Sequence, residues 1–240
     1  MKRIAPFLLI LAVLGVALGS VWYLTKPIAT STVPASQPAP ASTGAQQTPQ
    51  QQTPPSQLGP VKTGVPGAEP PNTKGPANAK VHIEEFGDFQ CPPCGMFHPV
   101  LEKMEKEFPK DLRVTFRHLP LPNHQHALRA ASAAEAAGLQ GKFWEMHALI
   151  YEHQQQWKDQ FDVRPIFEGY AQQIGLDLAR FNRDLSGATV QQRILQDGKR
   201  ATSLGVGGTP TVFLNNREVP FQMLPENTLR GLIQQEIAKK

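Results

Sequence analysis

From about residue 79 onward, the apolar positions of this chain fall into two rhythms. Val81 to Phe86 is a short run rich in strand formers. Phe97, Leu101, Met104 and Phe108 then recur at steps of three and four, one face of a helix from about Pro93 to Phe108 that stops before Pro109. Pro99 falls inside that helix and is expected to kink it, because it donates no hydrogen bond and its ring meets the Gly95 carbonyl. Leu112, Val114 and Phe116 alternate with Arg113, Thr115 and Arg117, the pattern of a second strand.

The helical rhythm then takes over for about eighty residues. An Ala-rich helix covers roughly Gln125 to Ala137 and ends at Gly138. Phe143, Met146, His147, Ile150 and Tyr151 mark another, and Ile166, Phe167, Tyr170 and Ile174 a third, stopped by Gly175. Asp177 can cap a short fourth helix, and Val190, Ile194, Leu195 and Ala201 mark a fifth that ends near Gly205. The strand rhythm returns at Thr211 to Leu214, with Asn215-Asn216 as a tight turn and Arg217 to Phe221 as its hairpin partner. Pro220 places that partner at a sheet edge. Leu229, Leu232, Ile233 and Ile237 give the last helix its apolar face. The sum is an α/β domain over residues 79–240.

The N-terminal third follows neither rhythm. After Met1-Lys2-Arg3 an apolar run extends from Ile4 to Leu24, about 21 residues, enough to span a bilayer as a helix. Lys2 and Arg3 favour a cytoplasmic N-terminus, and Trp22 and Tyr23 fall where an interfacial aromatic belt would lie. Residues 1–24 are therefore expected to be an uncleaved signal-anchor transmembrane segment. A cleaved signal peptide ending near Ala17-Leu18-Gly19 is the rival, although Val21 to Leu24 carries the apolar run past that point. Either reading exports the domain. Residues 25–78 are rich in Pro, Gln, Thr and Ser, almost without charge or aromatics, and are expected to form a disordered tether.

A net charge of +4 with mixed signs, and no aromatic-and-basic cluster, argues against nucleic acid as a partner. Candidate chemistry narrows to Cys91 and Cys94, the only cysteines of the chain. They sit where the first strand hands over to the first helix. Cys91 falls at the helix N-cap or just before it, where unpaired N–H groups and the positive dipole end lower a thiol pKa. Cys94, one turn in, faces the interior. A disulfide between them closes almost no chain, so it is a poor structural staple.

No metal site is expected from the histidines. His124 and His126 are two apart, on different helix faces, and His147 shares an apolar face with Phe143 and Ile150. Zinc normally needs four ligands, and no second cysteine pair exists. Copper(I) held by the two thiolates remains a rival, since thiolates select that ion.

Glu85-Phe86-Gly87-Asp88-Phe89-Gln90-Cys91-Pro92-Pro93-Cys94 resembles the active-site segment of thioredoxin-fold thiol–disulfide oxidoreductases, nearest to the DsbA-like group. The resemblance implies a thioredoxin fold with a helical insertion, about residues 124–205, between its βαβ and ββα halves. It implies Cys91 and Cys94 as the catalytic pair, with Pro92 and Pro93 completing the motif. It implies a cis bond at Thr209-Pro210 facing the dithiol, with the Thr209 N–H and C=O pairing to an extended substrate peptide and the Pro210 ring packed beside the sulfurs, the two together holding the substrate chain. Glu85 matches a family glutamate and is the candidate base beneath Cys94, against the alternative of a solvent-facing strand carboxylate. Glu84 points to the opposite face and is the weaker candidate. Asp88 is expected to serve a turn or a cap, and Trp144 and Trp157 to pack or to edge the peptide groove.

The resemblance further implies no cofactor beyond a redox-active Cys91–Cys94 disulfide, and a quinone-linked membrane oxidase as redox partner. Substrates would be exported proteins with cysteine pairs, on the periplasmic or extracytoplasmic side of the cell membrane. One departure moderates the expected oxidising power: the family's type enzyme carries His where this chain has Pro93, so a donor to the thiolate is lost. Disulfide isomerase or reductase activity, and a non-catalytic peptide-binding role on the same fold, stay open.

Overall fold

The computed structural model describes residues 58–239. The expected anchor at 1–24 and the tether up to residue 57 lie outside the described residues. Among the described residues no helix is long and apolar enough to cross a membrane. The chain runs through β1 (Asn72–Lys74), β2 (Val81–Gly87), α1 (Pro92–Glu107) and β3 (Leu112–His118). A helical block follows: α2 (Ala127–Gly138), α3 (Phe143–Glu152), α4 (Gln154–Trp157), α5 (Arg164–Gln173), α6 (Leu178–Asp184) and α7 (Ala188–Ser203). The chain closes with β4 (Thr211–Leu214), β5 (Arg217–Val219), a 3-10 turn (Phe221–Met223) and α8 (Glu226–Ala238).

The strands form one sheet in the order β1-β3-β2-β4-β5. β2 and β3 are parallel, with α1 as their crossover, while β4 runs antiparallel to β2 and β5 antiparallel to β4. This is the βαβ and ββα pair of a thioredoxin fold, with the helical block between the halves. Asn215 and Asn216 take φ of 47° and 63°, the left-handed geometry of a two-residue hairpin turn. β5 is shorter than the sequence pattern suggests, because the chain turns at Pro220 into the 3-10 segment. α4 carries no periodic signal of its own, being a single turn.

The pleat of β2 sends Val81, Ile83 and Glu85 to one face and His82, Glu84 and Phe86 to the other. On the first face Val81 and Ile83 pack with Phe97, Leu101 and Met104 of α1 and Leu229 and Ile233 of α8. On the second, Phe86 and Phe213 pack against Ala201 of α7 and Leu204. The helical block has its own core, in which Ala134, Ile150, Trp157, Phe167 and Phe181 are buried. Phe89, Phe116 and both cysteines belong to that same cluster, so the dithiol lies at the seam between sheet and block. Trp157 is buried and donates its indole N–H to the Ile150 carbonyl at 2.7 Å, and half-buried Trp144 lies under the Lys74 ammonium at 4.3 Å.

One boundary needs correction. Residues 58–74, expected to belong to the tether over 25–78, form instead a strap bound to the domain. Gly59 N donates to Glu218 O at 2.9 Å, and Val61 bridges Arg217 on the free edge of β5. Further along, Arg200 donates to Val65 O at 2.8 Å, Ala68 N to Asp197 Oδ1 at 2.8 Å, and Arg117 to Ala68 O at 2.8 Å. β1 then pairs with β3 at the opposite edge. The strap's own composition could not bury a core. Its backbone is instead held by arginines and an aspartate placed far away in sequence. Gly67 marks the closest approach: a Cβ there would stand 2.6 Å from the Arg117 guanidinium.

Candidate active site

Local hydrogen bonding shapes the strand-to-helix turn that carries the cysteines. Asp88 Oδ1 accepts from Gln90 N at 2.8 Å, and Oδ2 accepts from Leu121 N at 2.9 Å and pairs with His124 Nδ1 at 2.7 Å. Cys91 N donates to Asp88 O at 3.1 Å. The helical block holds the turn from the other side, where Gln154 donates to Phe89 O at 2.7 Å and to Cys91 O at 2.9 Å. Cys91 is the N-cap of α1 with φ −67° and ψ 120°, and Pro92 occupies the first turn, where a missing N–H costs nothing.

Both cysteines are thiols, and their surroundings differ. Cys91 keeps 5% exposure and Cys94 none, a narrower contrast than an open nucleophile beside a protected partner. The Cys94 thiol beside the Cys91 sulfur, against burial, brings the Cys91 pKa down to about 6; Thr209 and the Cys94 backbone act the same way. Cys94 is driven the other way, well above the ordinary thiol value, by burial, by its bond to Cys91 and by the charge of Glu85. Two thiols three residues apart are thus separated into a ready nucleophile and a held proton.

Glu85 lies beneath them, 2% exposed, which removes the solvent-facing alternative. Its Oε1 has no hydrogen-bond partner among the described residues. Burial first, then Glu105, raises its pKa to about 8, with Lys74 opposing. A carboxyl in that state is neutral near pH 7 and can exchange a proton with a neighbouring thiol. Gly87, two residues on, keeps this floor tight: a Cβ there would stand 2.4 Å from the Phe116 ring and 2.9 Å from the Tyr151 hydroxyl.

Thr209-Pro210 closes the site from the opposite strand, and the bond is cis. The Thr209 carbonyl lies 3.4 Å from Cys91 Sγ. Beside Pro93, a shallow apolar groove is lined by Met96, Val100, Phe221 and Leu224. Met96 and Phe221 are 67% and 58% exposed, large apolar side chains left in water next to the dithiol.

Three side chains behind the cysteines have no place at the site in the sequence reading, although burial bears out the packed His147. Tyr151 is buried with an unpartnered hydroxyl among the described residues, and burial plus the charges of Cys94 and Glu85 raise its pKa well above the phenol value. His147, expected to be packed, lies edge-on to Phe89 at 5.3 Å and Phe116 at 4.7 Å, with neither ring nitrogen partnered among the described residues. His98 stacks on Tyr151 at 5.1 Å and is held neutral by burial, its pKa near 4 against the pull of Glu102. The apolar period of α3 gave its buried face, but nothing local announced which helix would meet it.

The thioredoxin family profile matches residues 68–235. Among solved structures, BdbD from Bacillus subtilis in its oxidised form is similar with a TM-score of 0.64 at 20% identity, covering 74% of this chain and 100% of that one. The thiol-disulfide exchange protein alpha-DsbA2 from Wolbachia pipientis is similar with a TM-score of 0.59 at 23% identity, covering 69% of this chain and 86% of the other. These likenesses establish the DsbA-like form of the fold. In sequence, the chain is 43% identical over 148 residues to a protein of Salinispora arenicola named as a Na(+)/H(+) antiporter, covering 61% of this chain. The chain spans only 22% of that relative's length.

Proposed function

We propose, from the premise that this chain belongs to the thioredoxin family, that it is a membrane-tethered, extracytoplasmic thiol–disulfide oxidoreductase that oxidises cysteine pairs in exported proteins. The observation that carries the reading is the asymmetry of the thiols, with Cys91 lowered to about 6 at a helix start and Cys94 raised in the interior. Stabilising the reduced form makes the corresponding disulfide a better oxidant. The antiporter name belongs to relatives matched over about a fifth of their length, and gives no ground for assigning ion transport here.

In the working direction a substrate thiolate attacks Cys91 Sγ of the Cys91–Cys94 disulfide. The S–S bond breaks, the substrate–Cys91 bond forms, and Cys94 leaves as a thiolate that takes the Glu85 proton. The second substrate thiolate then attacks the substrate sulfur of the mixed disulfide and releases Cys91 as a thiolate. Two electrons pass from substrate to enzyme, and the substrate leaves with its disulfide. A quinone-linked membrane oxidase would remove those electrons, and Glu85 would take back the Cys94 proton. Thr209 and Pro210 would hold the substrate chain, and the Met96–Phe221 groove would receive apolar side chains of an unfolded segment. No organic cofactor enters the scheme.

Equilibrating the full chain with glutathione buffers tests the direction. A potential on the oxidising side of roughly −200 mV supports the oxidase, and one near roughly −270 mV would leave a tethered reductase.

A further inference from the structure

The wall of α1 that faces the helical block carries a second cluster, which the dithiol chemistry does not use. His98 and Glu102 stand one turn apart on α1, and Glu152 ends α3 opposite them. Their donor atoms lie within 4.8 Å of one another. His98 is 6% exposed and its ring position is fixed by stacking on Tyr151. Its Nε2 is 3.9 Å from Glu102 Oε1, too far for a hydrogen bond, and has no other partner among the described residues. All three side chains line a cavity of about 330 Å³ that also touches Pro92 and Gly95, the first turn of α1.

A buried ring nitrogen without a partner is costly, and two carboxylates held this close repel. A cation among the three donors removes both penalties. Lys106 reaches Glu102 Oε2 at 3.4 Å, but its side chain is 77% exposed and leaves Oε1, Glu152 and His98 untouched. One imidazole with two carboxylates is a donor set for borderline divalent ions. Copper(I) selects sulfur, and calcium and magnesium select oxygen alone. Ligands about 2.1 Å from a tetrahedral zinc stand roughly 3.4 Å apart. The present spacing closes to that by rotating the two carboxylates while His98 stays in place.

We propose that His98, Glu102 and Glu152 form a site for a divalent transition-metal cation of the zinc class, with water completing the coordination. The ion would tie α1 to α3 beside the turn that holds Cys91, so it would brace the seam between sheet and helical block. The site is separate from the cysteine pair and stands whichever way the redox reaction runs.

Calorimetric titration of the tag-free full chain with zinc, its Cys91–Cys94 disulfide formed so that no thiolate competes, tests the site. One zinc per chain is expected. Glu152→Gln and Glu102→Gln, both outside the core, should each weaken binding more than ~10-fold, as should His98→Ala. A chain with Cys91→Ser and Cys94→Ser should bind zinc as the parent does. Cobalt in place of zinc should give visible d–d bands with no thiolate charge-transfer band. Absence of binding at millimolar zinc, equal affinity in the parent and in Glu152→Gln, or loss of binding in the double-serine chain would overturn the proposal.

Discussion

Glu84 and Glu85 are neighbours on β2, each nearly fully buried, and the pleat sends them into opposite surroundings. On the α7 face, burial pushes the Glu84 carboxyl up, but Arg200 at 2.7 Å and Arg117 at 2.9 Å outweigh it and hold the group below its usual range. Arg117 also pairs with Asp197 at 3.1 Å, so the charges on this face are matched, and the network fastens the strap. On the α1 face Glu85 has no such partner among the described residues and stays protonated to about pH 8. Matched charge fixes geometry, whereas an unmatched acid remains free to trade its proton. A step of one residue along a strand decides which of the two a glutamate becomes.

The comparison can be broken from either side. The largest expected effect is on the dithiol face, where Cys91→Ser should lower disulfide exchange more than ~1000-fold with little change in the melting curve. Its counterpart Cys94→Ser should accumulate substrate mixed disulfides on Cys91. Equal trapping by both variants would erase the asymmetry of the thiols. On the clamp face, Arg117→Ala should take the ion-pair partner from buried Asp197, leave Glu84 with Arg200 alone, and cost ~3–5 kcal/mol in urea unfolding. Exchange activity per folded molecule should persist, and its loss would mean that the two faces are not separate.

Glu85→Gln sharpens the contrast, because stability and rate should move in opposite directions. The folded-state pKa of Glu85 lies above its ordinary value of 4.5, so the folded chain holds that proton more tightly than the unfolded chain between about pH 4.5 and 8. The parent therefore loses stability as pH rises through that window. The glutamine variant should be more stable by ~2–4 kcal/mol at pH 8, with the gain shrinking as pH falls through that window and absent below about pH 4.5. Proton exchange with Cys94 should slow ~100-fold. A gain of the same size at every pH would contradict the raised pKa. The smallest effect is expected at the strap's exposed end: Lys62→Ala removes a half-exposed pair with Glu218 and should cost less than ~1 kcal/mol.

The strand–turn–helix around Cys91, the Asn215-Asn216 hairpin and the helical block could be read from period and turn chemistry, because each is a local pattern. The strap could not. Asn72–Lys74 is three residues long with no alternation, and its fasteners lie far along the chain: Arg193 donates to Pro70 O across 123 positions. The site divides in the same way. The cysteines, Pro210 and the opposite facing of Glu84 and Glu85 follow from motif and pleat. That both faces of β2 would be covered depends on α1 and α7 arriving from elsewhere, and so does the meeting of His98 with Tyr151.

The strap also sets how the domain carries load. A pull on the chain at residue 58 enters at the outer edge of the sheet, through Gly59, Val61 and the Arg217 bonds to the Leu58 and Gly59 carbonyls. It then meets Arg200, Asp197, Arg117 and Arg193 in turn before it reaches β1. Each fastener shares the tension, and the strap runs across the face of the sheet opposite α1. β2 meets that path through Glu84, which Arg200 and Arg117 also hold, whereas the cysteine turn beyond Gly87 takes no hydrogen bond from the strap among the described residues. The protein can therefore be held by its N-terminal side, and tugged, while the sulfur atoms keep their spacing.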